Sequence, residues 1–151
     1  MEEQRIVGKR RTMSFVNYTV AELWRSFLPR RNEIANTVTH DLISAAVYPH
    51  PHIADLASTD EFERWAGVEV TGTDAVPDGM EILTLPRGEY AVFHYKGLST
   101  DTSVFQYIFG TWLPQSGYVE DRRPHFEILG ERYKNNDPDS EEEIWIPVCK
   151  N

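Results

Sequence analysis

Glu127 is the residue best placed to do chemistry in this chain. It stands between Phe126 and Ile128 in a segment too apolar for a surface loop. Strand alternation lets such a carboxylate face water, or else it lines a pocket. In a pocket it attracts cations, because low-dielectric walls strengthen its field. Two other segments pair an acid with an indole: Glu63-Arg64-Trp65 and Glu143-Ile144-Trp145. Alternation separates Glu63, Trp65 and Gly67 from Phe62, Ala66, Val68 and Val70, and separates Glu143, Trp145 and Pro147 from Ile144, Ile146 and Val148. Each half thus offers a face bearing a Trp and a carboxylate. If helices cover the aliphatic faces, these mixed faces meet solvent or each other. Aromatic walls attract a desolvated cation by about 0.5–2 kcal/mol per ring. They also accept flat apolar ligands with little selectivity. Structural alternatives stand beside this one. A strand Trp also serves as core filler, Trp24 and Trp112 lie on helical apolar stripes, and Glu141-Glu142-Glu143 also reads as a solvated acidic turn.

The elements that must position these groups come in two similar sets. Residues 5–16 read as a strand. Residues 19–35 read as a helix, with Thr19 as N-cap and Val20, Leu23, Trp24, Phe27 and Leu28 on one stripe. Pro29 must kink or end it. Strands follow at 42–48 and 62–71, and the polar, turn-rich residues 73–79 join the halves. The second half opens with β-type residues 80–95, bent at Pro86-Arg87-Gly88. Asp101 or Thr102 caps a helix striped by Phe105, Ile108, Phe109, Trp112 and Leu113, which Pro114 and Gly117 stop. Strands at 125–133 and 144–149 flank the acidic turn 135–142. Phe27-Leu28-Pro29 matches Trp112-Leu113-Pro114, just as the two acid–indole segments match each other. The pattern predicts an α+β fold: duplicated β-α-β-β modules, about 5–72 and 79–149, with antiparallel sheet and helices on one face of each half. At 151 residues and 40% apolar composition, residues 1–151 can form one domain with a sizeable core. A seam between two such modules is a natural place for a small-molecule pocket.

Composition excludes several function classes. A net charge of −9 opposes direct nucleic-acid binding and permits cationic ligands. The basic run Lys9-Arg10-Arg11 reads as a solvated strand face. Cys149 is the only cysteine, which rules out an intrachain disulfide, and the five histidines lack metal-ligand spacing, so no metal or other cofactor is expected. Met1-Glu2-Glu3-Gln4 does not open a signal peptide, and no apolar run reaches membrane-spanning length. A cytoplasmic location follows as the expectation.

Four blocks of the second half resemble one family. Leu85-Pro86-Arg87-Gly88-Glu89-Tyr90-Ala91-Val92-Phe93-His94-Tyr95-Lys96-Gly97 is the first, and Thr111-Trp112-Leu113-Pro114-Gln115-Ser116-Gly117-Tyr118 the second. Pro124-His125-Phe126-Glu127 and Glu143-Ile144-Trp145-Ile146-Pro147-Val148 complete the set. In this order they resemble the GyrI-like effector-binding domains, including the C-terminal domains of AraC-type regulators such as Rob and of the multidrug regulator BmrR. The resemblance implies two β-α-β-β modules related by a pseudo-twofold, with a central ligand cleft between them. It implies that Glu127 matches the acid that multidrug binders of the family turn toward cations. It makes Trp65, Tyr90, Trp112 and Trp145 candidate walls. The regulators carry a helix-turn-helix module ahead of this domain, and only a few residues precede the first strand here. A stand-alone member, and not a one-component transcription factor, is therefore expected.

Three functions compete on this basis. The first is a binding module for lipophilic and cationic small molecules, with Glu127 supplying charge and the aromatics surface. The second is a hydrolase opening cyclopropane-bearing genotoxic natural products, as some stand-alone members resemble. Glu127 would then act as general base or charge stabiliser, with Tyr48 or Tyr90 assisting by hydrogen bonding. The third is a protein-interaction role, with the acidic residues 137–143 presented to a topoisomerase or regulator.

Overall fold

The first repeat folds as the periodicity predicts, with its helix cut short. The computed structural model describes residues 1–73 and 75–151; Asp74, within the predicted connector 73–79, lies outside the described residues. Strand β1 (Gln4–Met13) leads into helix α1 (Val20–Phe27), which tightens into a 3₁₀ turn (Leu28–Glu33) at Pro29. Proline cannot donate to the preceding turn, so the α-helix ends at Phe27, two residues earlier. Thr19 occupies the N-cap position without capping, because its hydroxyl accepts from Arg11 Nε at 2.8 Å. Strands β2 (Leu42–Val47), β3 (Phe62–Val70) and β4 (Glu81–Leu85) follow.

The second repeat runs β5 (Tyr90–Lys96), α2 (Ser103–Tyr107), a π-helical turn (Ile108–Trp112), α3 (Leu113–Gln115), β6 (Tyr118–Glu120), β7 (His125–Leu129) and β8 (Glu141–Lys150). Asp101 supplies the cap that one of two residues was expected to give, its carboxylate accepting the Ser103 N–H at 2.9 Å. The helical run passes Pro114 and ends at Gln115, followed by Gly117 at φ +78°. A positive φ at this place is where glycine closes a helix. The three-residue β6 was not predicted; it pairs with the far end of β8, where β7 no longer reaches.

The strands order as β4-β1-β3-β2-β7-β8-β5, every pair antiparallel. The order β1-β3-β2 in one half mirrors β5-β8-β7 in the other, so the repeats meet where β2 pairs with β7. This is the pseudo-twofold that the family resemblance implied. Residues 73–79 do not carry the chain across, since β4 still pairs with β1. The crossing comes at residues 86–89, which link β4 on one sheet edge to β5 on the other. The sheet curls to let those edges approach. Gly8 and Gly67 face each other in register on β1 and β3, and a Cβ on Gly8 would lie 2.0 Å from the Ala66 carbonyl oxygen. Only glycine lets the two backbones come this close.

Alternation and register sort the side chains onto two faces. On the front, α1 covers Val7, Met13, Phe62, Ala66 and Val68 of β1 and β3. The second helical run covers Ile144, Ile146 and Val148 of β8 through Phe105, Ile108, Phe109 and Leu113. On the back, Ile6, Ile43, Ala45, Trp65, Leu85 and Phe126 form a third core inside the curl. Each large apolar side chain so buried stabilises the fold by roughly 1.5–3 kcal/mol. No helix among the described residues is long and apolar enough to cross a membrane.

Candidate functional site

The front of the seam gathers several charged side chains inside the fold. Ser44 on β2 pairs across from Glu127 on β7, and Glu127 pairs across from Ile144 on β8. Arg64, two strands from Glu127, lies on the same face. Its Nη2 donates to Ser44 Oγ at 2.9 Å and stands 3.6 Å from Glu127 Oε1. That second distance is an ion pair rather than a direct hydrogen bond. The Arg64 Nε is buried without a partner. The side chains of Arg64 and Glu127 remain 11% and 20% exposed, so both belong to a floor that solvent reaches. Burial alone would lower the pKa of Arg64, but Tyr18, Glu127 and Tyr48 around it raise it, and the guanidinium stays charged.

Two further acids and bases complete the floor. Glu142 of β8 is 8% exposed, and its carboxyl is pushed up to about 8 by burial and by the neighbouring Glu127. His125 of β7 is held down to about 4, because burial and Arg64 both oppose a second positive charge. At neutral pH the histidine is therefore uncharged. Tyr48 packs edge-on against His125 at 5.1 Å between ring centroids, and burial pushes its phenol up to about 12.

Aromatic rims stand on both sides of the seam. From the β1–α1 loop come Phe15 and Tyr18, 45% and 47% exposed and stacked at 6.4 Å. Phe15 also touches Tyr48 and Phe62, at 6.5 and 5.0 Å. From the π-helical turn Phe109 reaches His125 at 6.2 Å. Two cavities flank this region. One of about 200 Å³ opens at the end of the seam beside Tyr48, His125 and Arg123. The other, about 240 Å³, lies under α3 beside His52, Tyr118 and Glu120. Glu127 lines neither cavity; its carboxylate, 20% exposed, sits on the floor of an open trough instead.

The structure brings together Glu127 and Tyr48 and separates them from the other expected wall residues. Trp65, Tyr90 and Trp145 lie on the back of the sheet: Phe126 stacks on Trp145 at 5.2 Å, Tyr90 meets Phe126 at 5.3 Å, and Trp65 is buried in the same core. The physical reason is register. Glu127 faces Ile144 across β7 and β8, which puts it on the aliphatic, helix-covered side and leaves Trp145 on the other. Trp112 is on the front but packs edge-on against Phe93 of β5 at 5.1 Å, at the outer edge of the sheet. Phe109, at the start of the π-helical turn, reaches toward the seam instead. The acidic run divides as well. Glu141 pairs with His94 at 2.8 Å, Glu143 accepts from Trp145 Nε1 at 3.0 Å, and Glu142 alone enters the floor. Residues 137–143 are thus not one solvated acidic face.

Sequence reasoning missed Arg64, Ser44, Glu142, Phe15, Tyr18 and Phe109 as neighbours of Glu127. Arg64 had a signal: it shares strand parity with Phe62, Ala66 and Val68, and an arginine inside an aliphatic stripe needs a buried partner. Among the described residues, no group of three His, Cys, Asp or Glu is arranged to hold a metal ion.

Comparison with known proteins follows the same lines. The family profile described as GyrI-like small molecule binding domain matches residues 1–148. The chain is 30% identical over 145 residues to the transcriptional regulator BrlR of Pseudomonas aeruginosa, covering 95% of this chain and 51% of the regulator. It thus spans about half the length of the curated relative it matches. Among solved structures, SAV2435 bound to tetraphenylphosphonium is similar with a TM-score of 0.74 at 13% identity, over 99% of this chain and 90% of that one. EcmrR in its DNA complex is similar with a TM-score of 0.72 at 14% identity, over 100% of this chain and 56% of that one. At these identities the two structures show a shared fold.

Proposed function

The chain belongs to the GyrI-like small molecule binding domain family, and from that premise we propose that its trough takes lipophilic cations. One observation carries the reading: Glu127 is a partly exposed carboxylate on the seam whose single basic partner among the described residues stands 3.6 Å away. A desolvated cation over this floor gains Coulombic attraction, and the exposed rings of Phe15 and Tyr18 add cation–π contact. The neighbouring fold's complex with tetraphenylphosphonium supports the same ligand chemistry. In this reading Glu127, Tyr48, Phe15, Tyr18 and Phe109 meet the ligand. Trp65, Tyr90 and Trp145 hold the sheet behind it. The domain makes no nucleic-acid contact of its own, which its net charge of −9 supports.

The test is a matched pair of probes. Tetraphenylphosphonium and neutral triphenylphosphine oxide have similar shapes and differ in charge. Glu127→Gln is expected to weaken the cation at least tenfold and the neutral probe less than twofold, by calorimetry. Equal weakening of both would remove the electrostatic role.

A second reading is favoured by the pairing of Glu127 with a carboxyl that burial keeps protonated. One acid and one base side by side are what a hydrolase needs to open a strained ring. Incubation with a cyclopropane-bearing alkylator, followed by mass spectrometry for the water adduct, decides it. Turnover by the wild type that is lost in Glu127→Ala supports the enzyme. No adduct, or turnover intact in the variant, leaves Glu127 a binding residue.

A further inference from the structure

We propose that the cation site holds two carboxylates, Glu127 and Glu142, and that an arriving monocation takes the place of a proton held between them. This rests on the reading of the trough as a cation site and adds its second acid and its exchanged ion. Four ionisable side chains meet on the floor: Glu127 and His125 from β7, Arg64 from β3, and Glu142 from β8. Glu142 is buried two residues from the Ile144 that faces Glu127, and so lies diagonal to Glu127 on the same face. His125 stays neutral above about 4. Among the described residues, Arg64 is the one basic group in ion-pair contact with either acid. With both acids ionised, the floor would carry one surplus negative charge among side chains largely withdrawn from solvent, Glu142 8% and Glu127 20% exposed. Low dielectric makes that state costly. A proton on Glu142 removes the surplus while the trough is empty, and the protonated carboxyl can donate to Glu127.

Among the described residues no basic side chain makes an ion pair with Glu142, and Arg132 and His94 are paired with Glu141 instead. Tyr95, the partner of Glu142 across β5, and Tyr133, in the loop before β8, are phenols that burial holds above their ordinary range. Asp101 lies beyond Tyr95 and is stabilised as an anion by the Ser103 N–H. The second helical run contributes a single ionisable side chain, Tyr107, which is 50% exposed. Neutralisation therefore comes from a proton or from an incoming ligand.

A permanent monocation lodged against Glu127 brings the missing positive charge. Glu142 then ionises and gives up its proton to solvent, so the total charge of floor plus occupant is unchanged. A neutral molecule of the same shape displaces nothing. Proton and cation compete, so cation affinity rises with pH by roughly tenfold per unit until Glu142 ionises by itself, then levels off.

Isothermal titration with tetraphenylphosphonium chloride tests this, because the probe has no titratable group and any proton released comes from the protein. Titrations at pH 7 in phosphate and in Tris, whose ionisation enthalpies differ, are expected to report close to one proton released per cation. Triphenylphosphine oxide is expected to release none. Between pH 6 and 8 the wild type is expected to bind the cation roughly tenfold tighter per unit, a slope that needs no variant. Glu142→Gln keeps the side-chain shape and is expected to lose both the proton release and the pH slope. Cation binding without proton release, or release unchanged in Glu142→Gln, overturns the second carboxylate and leaves the cation site standing. No binding of tetraphenylphosphonium at any pH overturns the cation site itself.

Discussion

The two faces of the β2–β7 seam are built by alternate residues of the same strands, yet they have opposite physics. Behind the sheet, Ile43, Ala45 and Phe126 join Trp65 and Leu85 in a dry core. In front, Ser44, His125 and Glu127 meet Arg64 and Glu142 where solvent still enters. One residue of translation separates a position that holds the molecule together from one that meets solvent. Stability and recognition can therefore be changed separately here, and the sharpest tests are those that try to couple them.

The largest effect belongs to the back. Phe126→Ala is expected to cost about 3–5 kcal/mol of unfolding free energy by urea denaturation. Its affinity for tetraphenylphosphonium, measured while folded, should stay within about twofold. A parallel loss of affinity would show that the faces are not independent. Next comes Arg64→Leu on the front, expected to destabilise by about 1–3 kcal/mol because Glu127 loses its partner, with partial relief from water. The same variant should bind the cation more tightly, since the competing positive charge is gone.

Smaller effects are read against pH. Glu142 keeps its proton in the folded chain up to about 8, whereas its ordinary value is 4.5. The folded state therefore holds more protons in that window, and stability falls as pH rises through it, by on the order of 1 kcal/mol per unit. Glu142→Gln should flatten this limb. His125 gives the opposite limb: it stays neutral to about 4 when folded against 6.5 ordinarily, so stability is lost as pH falls between those values. His125→Gln should flatten that one. Thermal melts from pH 4 to 9 check both. The smallest contrast lies on the rim, where Phe109→Leu should weaken the cation a few-fold and Trp112→Phe should leave it unchanged.

Much of this arrangement was legible in the residues, and the part that was not has a definite cause. Strand positions, both helical stripes and the duplication came from periodicity, because each is local in sequence. The aliphatic set Ile144, Ile146 and Val148 was correctly read as helix-facing. What alternation cannot supply is the register between strands. Alternation alone leaves Glu127 free to share a face with Trp65 and Trp145, and only the pairing of Glu127 with Ile144 puts it on the other side. The fate of Glu142 was hidden for the same reason. Its neighbours in sequence are exposed acids, and its neighbours in space come from β3, β5 and β7.

The short link at residues 86–89 has a mechanical consequence. Gly88 and Met1 exchange backbone hydrogen bonds at 2.9 and 3.1 Å, and Arg123 Nη2 clamps the carbonyls of Glu89 and Val148 at 2.8 and 3.0 Å. The link is thereby pinned to the N-terminus on one side and, through Arg123, to β8 on the other. On the reading of the trough as a cation site, a bulky guest would meet a spine tied at the back, and guests of different girth would be met by the exposed rings of Phe15 and Tyr18 at the rim.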